Sequence, residues 1–478
     1  MQKAFLTLLT FAAAVATAQT FEITGGVAPY QVVQRDAENR GVFRLEGTAA
    51  KQLAGRPVEA RLVRAGLVVV GFDWRHAGQV NGAQWRAEIA RVPVGGPYRV
   101  ELRVTGAAGI RSVEPLLVGD LWMLAGQSNM EGVGNLKDLP APSALVYSFN
   151  MTDQWVAAEE PLHRLWDAVD SFHWRRNPGE PKAPLSGEAL RKAMAGRVKG
   201  AGVGLPFALE MVRRTGVPVG LIPSAHGGTS MDQWSPSLKE QGGASLYGGM
   251  LRRFRAAGGR IAGVLWYQGE SDANPKASPV FAAKFQSLIE SIRVDFQQPD
   301  LPFYYVQIGR HVNDANIAEW HLVQDAQRRV ETLFRNVGMT TGIDLELDDG
   351  IHVGTDAFPT LAVRLANLAE GKVERGPRPV RARLDGSRVL VEFASVNHHL
   401  RHEGRLNGFT IHDAEGKPVP LIFRQRVMAG SPNTVELLFG GKLPEGATVR
   451  YGYGKDPYVN LTDAADMPCP VFGPLRIE

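Results

Sequence analysis

Between residues 121 and 370, short apolar runs alternate with amphipathic stretches of helical length, and this rhythm restricts the chain more than any other feature. Residues 121–125, 217–223, 262–267, 303–308 and 337–344 have the length and the flanking Gly or Pro of buried strands. Residues 207–214, 251–257, 279–296, 319–334 and 357–370 read as the helices between them. Strands that alternate with helices require right-handed crossovers, so the middle of the chain is expected to form a parallel sheet covered by helices on both faces. Residues 136–204, rich in Pro, Trp and charge, break the rhythm and read as a long irregular insertion.

The flanks carry a different pattern. Residues 41–46, 58–63, 84–89 and 98–104 alternate apolar with polar side chains, and so do 381–384, 389–393, 408–411 and 434–439, with turn residues between them. A chain of 478 residues exceeds one ordinary core. The expected division is an N-terminal β-sandwich-like domain over 19–115, an α/β domain over 116–374 and a C-terminal β-sandwich-like domain over 375–478.

Residues 1–18 stand apart: Lys3, an apolar segment, then Ala16-Thr17-Ala18, which has the form of a signal-peptidase site. Export is expected, with removal of the leader near Ala18 and a secreted or periplasmic mature protein. Without Lys3 the balance is 52 basic against 49 acidic residues, too even to point to nucleic acid. A single cysteine, Cys469, excludes a disulfide-stapled scaffold. No run after the leader reaches membrane-spanning length, so no membrane span is expected in the mature chain.

Four groups fall at the ends of the proposed parallel strands: Gly126-Gln-Ser128-Asn, Gly227-Gly228-Thr, Gln268-Gly-Glu270 and Asp349-Gly-Ile-His352. In an open α/β sheet such ends converge on one crevice. Acyl transfer needs a nucleophile, a base, a group that orients the base, and donors aimed at the developing oxyanion. Taken alone, Ser128 at a strand-to-helix turn reads as a helix cap. Together, the four groups supply every part of an acyl-transfer site.

These blocks resemble the SGNH, or GDSL-like, hydrolase superfamily, in its branch of carbohydrate esterases that includes sialate O-acetylesterases. Gly126-Gln-Ser-Asn-Met130, Gly227-Gly-Thr followed by Trp234, Trp266-Tyr-Gln-Gly-Glu270 and Asp349-Gly-Ile-His352 match that branch in order. Pro457-Tyr-Val-Asn-Leu461 and Met467-Pro-Cys-Pro-Val-Phe472 are similar to its C-terminal signature. The resemblance implies a flavodoxin-like, three-layer doubly wound sheet and a cofactor-free esterase that removes O-acetyl groups from glycans. It makes Ser128 the nucleophile, His352 the base and Asp349 the carboxylate that orients it. The oxyanion donors become the backbone N–H groups of Ser128 and Gly228 and the side-chain amide of Gln268. Glu270 is a second carboxylate that could orient His352 or bind substrate, and Trp234 is a further candidate for substrate contact. The substrate is an acetylated sialic acid or another acetylated glycan, acetylxylan among them.

Other readings meet the same residues. Met130 stands where an α/β-hydrolase elbow has its second glycine, so that tight turn is not indicated. His226 and Ser230 read as a structural histidine and a turn hydroxyl. Asp344, Glu346, Asp348 and Asp349 with His352 contain ligands for a hard cation, yet acid-rich loops are mostly solvated, and no metal is expected. A non-catalytic carbohydrate-binding protein on the same scaffold is the alternative of another class.

Overall fold

A computed structural model describes residues 20–174, 183–313 and 316–478; the expected leader lies outside the described residues. The chain divides into two compact units. Among the described residues, one comprises 20–29, 42–92 and 97–116, and the other the described residues of 30–41, 93–96 and 117–478. The strands of the described part of the first unit are antiparallel: Pro57–Arg64 and Arg75–Asn81 lie wholly within it, and Arg40–Ala49, Gln84–Pro93 and Gly95–Val104 lie mostly within it. The alternating burial of Arg40–Ala49 places Phe43 and Leu45 inside and the polar residues between them outside.

In the second unit the alternation of strands and helices becomes a parallel sheet. Its elements are β1 (Arg111–Gly126, from Leu117 onward), α1 (Ser128–Glu131), β2 (Val146–Phe149), α2 (Gly204–Thr215), β3 (Val219–Pro223), α3 (Leu246–Ala256), β4 (Gly263–Tyr267), α4 (Phe281–Asp295), β5 (Phe303–Gln307), α5 (Ile317–Val330), β6 (Val337–Thr341) and α6 (Phe358–Glu370). Parallel pairing gives the strand order β2-β3-β1-β4-β5-β6. Every residue of β3, β4 and β6 is buried, as a sheet covered on both faces requires.

One strand differs from the sequence reading. Val146–Phe149 lies within the stretch read as irregular, yet it extends the sheet beside β3 and carries Trp155–Ala157 antiparallel on its outer side. Without β2, the order β3-β1-β4-β5-β6 is the flavodoxin-like one. The chain builds outward from β1 to one side, then crosses to the other. The ends of β3, β1 and β4 therefore flank the point where the winding reverses.

Beyond α6, two four-stranded antiparallel sheets share one apolar cluster that includes Val391, Leu437, Val449 and Phe472. Gln307, at the end of β5, exchanges two hydrogen bonds with the backbone of Val471, at 2.9 and 3.0 Å. No described helix is long and apolar enough to cross a membrane.

The handover from β1 to α1 depends on Gly126. Its φ is +133°, and a Cβ there would lie 2.2 Å from the Tyr267 carbonyl oxygen on β4. Gly126→Ala is expected to destabilise the protein by about 2–3 kcal/mol. The check is a lowered denaturant midpoint at unchanged m-value.

Candidate active site

The four strand-end groups face one cavity of about 540 Å³, whose lining includes Ser128, Glu131, His226, Gly228, Glu270 and His352. Ser128 is the first residue of α1, directly after Gln127, whose N–H donates to the Tyr267 carbonyl at 2.8 Å. The N-cap is Gln127, with no side-chain cap hydrogen bond, so Ser128 is the first helical residue and not the cap that its place at the turn suggests from sequence.

His352 arrives from the long loop after β6. Its Nε2 lies 2.9 Å from Ser128 Oγ, and its Nδ1 lies 2.8 Å from Asp349 Oδ2. With Nδ1–H donating to the carboxylate, Nε2 keeps its lone pair toward the serine hydroxyl, the tautomer a general base needs. Asp349 Oδ1 also accepts the amides of Ile351 and His352, each at 2.9 Å. Burial raises the Asp349 carboxyl, but the bonds from His352 and the two amides outweigh it and hold the group below its ordinary value. Of the two carboxylates considered from sequence, Asp349 is the one that accepts the hydrogen bond of the imidazole.

Glu270, also in the cavity lining, bonds to a different partner. Its Oε1 accepts from Asn129 Nδ2 at 2.7 Å, and burial pushes its carboxyl above the ordinary value against the pull of that bond. Asn129 also accepts the Val353 amide on Oδ1 at 3.0 Å.

The Gly227–Gly228 turn is fixed from two sides. Glu131 Oε2 accepts the Gly227 amide at 2.6 Å, and a Cβ on Gly227 would touch Ser128 Cβ at 3.4 Å. The turn therefore packs directly on the serine. Gly228 adopts φ +62°, in the left-handed region glycine tolerates. Among the described residues, no acceptor is matched to the amide of Ser128 or of Gly228.

Gln268 and Trp234 lie outside the cavity wall, contrary to the sequence reading. Gln268 is fully buried, and its Nε2 is committed to the Thr229 carbonyl at 3.0 Å and Asp272 Oδ2 at 2.5 Å, so it has no amide hydrogen turned to the cavity. Trp234 is also fully buried, donating to Thr229 Oγ1 at 3.1 Å with its ring edge-on to Trp266. Both side chains support Thr229, the residue after Gly228, from beneath.

The remaining candidates have structural partners. His226 Nδ1 lies 3.0 Å from His173 Nδ1. The nitrogens are closer than the ring centroids, 5.2 Å apart, by about two ring radii, so the nearly parallel rings meet edge to edge and share one proton. Burial first, then the field of His226 and Arg253, holds His173 well below its ordinary value. The Ser230 amide donates to Gln233 Oε1 at 2.9 Å. Asp344 pairs with Arg364, and Asp348 accepts from Thr355. Among the described residues, no group of three or more His, Cys, Asp or Glu is arranged to hold a metal ion. Asn129 and Glu131 have positioning contacts that strand-end reasoning missed, because their partners are distant in sequence.

Residues 118–370 match the family model described as carbohydrate esterase, sialic acid-specific acetylesterase. A protein of Arabidopsis thaliana described as a probable carbohydrate esterase is 28% identical over 278 residues, 53% of this chain and 90% of that protein. Human sialate O-acetylesterase is 25% identical over 300 residues, 55% of this chain; the match spans about half of the human protein, 54% of its length. The crystal structure of a carbohydrate acetylesterase from Xanthomonas citri aligns with a TM-score of 0.64 at 23% identity, over 94% of this chain and 99% of that one, and shares the fold. The family match covers more than half of the chain and takes in all four strand-end groups: the protein belongs to the sialic acid-specific acetylesterase family of carbohydrate esterases, in the SGNH-like group, and is a carboxylic ester hydrolase.

Proposed function

We propose that the protein is an exported serine esterase that removes O-acetyl groups from glycans through an acetyl-serine intermediate. The observation that carries this reading is the relay of 2.9 Å from Ser128 Oγ to His352 Nε2 and 2.8 Å from His352 Nδ1 to Asp349. A serine hydroxyl is too weakly acidic to attack unaided, so the imidazole must take its proton as the bond to the acetyl carbon forms. The carbonyl oxygen gains charge in that step, and the unmatched N–H groups of Ser128 and Gly228 are the donors for it. Gln268 has no part in the oxyanion site, because its amide is already spent on Thr229 and Asp272.

Protonated His352 then returns the proton to the departing sugar oxygen, leaving acetyl on Ser128. Water attacks the acetyl-serine with the same base, releases acetate and restores the hydroxyl. Asp349 keeps its charge throughout, favouring the imidazolium and fixing the ring. The leader at residues 1–18 supports export. An acetylated sialic acid is the substrate class named by the matching family, with acetylxylan and other acetylated polysaccharides as alternatives.

Ser128→Ala is expected to lower aryl-acetate hydrolysis by at least about a thousandfold. Its unfolding midpoint should match wild type, and retained turnover would remove the serine from the mechanism. Asp349→Asn leaves a hydrogen-bonding group but favours the wrong imidazole tautomer, and a loss in kcat of about 10²–10⁴ is expected in steady-state kinetics.

A further inference from the structure

The site joins segments that lie far apart in the chain and in the sheet. Ser128 follows β1, whereas His352 sits on the loop after β6, three strands away across β4 and β5. Much of that loop's bonding is internal: Asp348 N–H to the His352 carbonyl at 2.9 Å, His352 N–H to Asp349 Oδ1, and Gly354 N–H to the Glu346 carbonyl at 2.7 Å. Such bonds shape the loop. Other segments reach it where the Gly350 carbonyl accepts the Val312 amide at 2.9 Å, the Leu345 carbonyl accepts from Arg310 at 2.9 Å and Asp348 accepts from Asn135 Nδ2 at 3.3 Å, but none of these bonds joins the residue beside His352 to the residue beside Ser128. Catalytic groups, in contrast, must be held to within a fraction of an ångström.

We propose that Asn129 is the positioning residue that holds the His352 loop against the nucleophile turn, as the shared partner of Val353 and Glu270. Asn129 adjoins Ser128 in α1 and is almost fully buried. Its Oδ1 accepts the amide of Val353, next to His352, at 3.0 Å, while its Nδ2 donates to Glu270 Oε1 at 2.7 Å. Three segments meet at one side chain: the turn after β1, the turn after β4 and the loop after β6.

The chemistry of the two partners selects the residue. Val353 offers a donor and needs an acceptor; Glu270 offers a carboxylate oxygen and needs a donor. A carboxamide presents one of each in a fixed plane, and these partners determine which way round it sits. Aspartate in its place would serve Val353 but set one carboxyl against another, a pairing tolerated only when a proton is shared. An apolar side chain would leave both partners unsatisfied. Glu270 is then the anchor of the tether: Asn129 is the described partner of its Oε1, and its Oε2 is buried without a described partner.

This inference rests on the esterase reading, so its test has one arm that does not use turnover. The first arm is a double-mutant cycle of N129D and E270Q, read as kcat and KM for an aryl acetate with S128A as control. In the wild-type background N129D should lower kcat about 10- to 100-fold with KM changed by less than about threefold. In the E270Q background the same change should cost less than about threefold, because the amide introduced by E270Q can turn toward the carboxylate introduced by N129D and restore a donor–acceptor pair. Equal losses in both backgrounds, or a loss confined to KM, would overturn the tether. If N129D alone does not fold, the N129D/E270Q protein decides: it must fold and turn over, and failure of either contradicts the proposal.

The second arm follows the downfield proton resonance of the His352 Nδ1–H bonded to Asp349, assigned with H352Q. It should be present in wild type, weakened or lost in N129D and restored in the double variant. An unchanged signal in N129D overturns the tether even if the wild type hydrolyses no acetate. Absence of wild-type hydrolysis, with the resonance behaving as described, would defeat the esterase reading alone.

Discussion

Ser128 can meet His352 because β1 lies where the winding of the sheet reverses, with β3 on one side and β4 on the other. Connections leave the ends of these strands in opposite directions and open a crevice above β1. Everything in the site is referred to that opening. Gly126 lets β1 pass close to the Tyr267 carbonyl, and the next residues turn into α1 with the hydroxyl at its first position. A bulkier residue at 126 would displace the serine together with the strand.

The short helix α1 then organises the loops around it. Glu131 reaches the amide of Gly227, and Asn129 reaches Val353 and Glu270. Thus a single turn sets the geometry of the Gly227–Gly228 segment, of the base loop and of the third strand end. Beneath the glycine turn, Thr229 is held by Trp234 and Gln268, and Gln268 is in turn braced by Asp272.

Most of the central architecture was legible from sequence because apolar period and length are local properties. The strands at Gly263–Tyr267 and Phe303–Gln307, for instance, end within a residue of where the apolar runs end. Val146–Phe149 was not legible, since a four-residue strand set among prolines carries too little pattern to separate from loop. The site was legible to the level of which strand ends matter. Direction was not: Gln268 and Trp234 lie beside the crevice in sequence, but their side chains point into the protein, a matter of packing that spacing does not encode. Asn129 lies within a recognised block and Glu131 just beyond its end, yet their partners are 224 and 96 residues away along the chain at Val353 and Gly227. No local feature marks such a connection.

The central claim is that Ser128 carries the acetyl group between glycan and water. Rapid quenching of the protein with excess aryl acetate, followed by peptide mass spectrometry, tests this directly, because an acyl-enzyme accumulates when its hydrolysis is slower than its formation. An acetyl increment is expected on the peptide containing Ser128, absent from the Ser128→Ala protein. An acetyl group trapped on another residue while Ser128 stays unmodified, under conditions of measurable turnover, would contradict it.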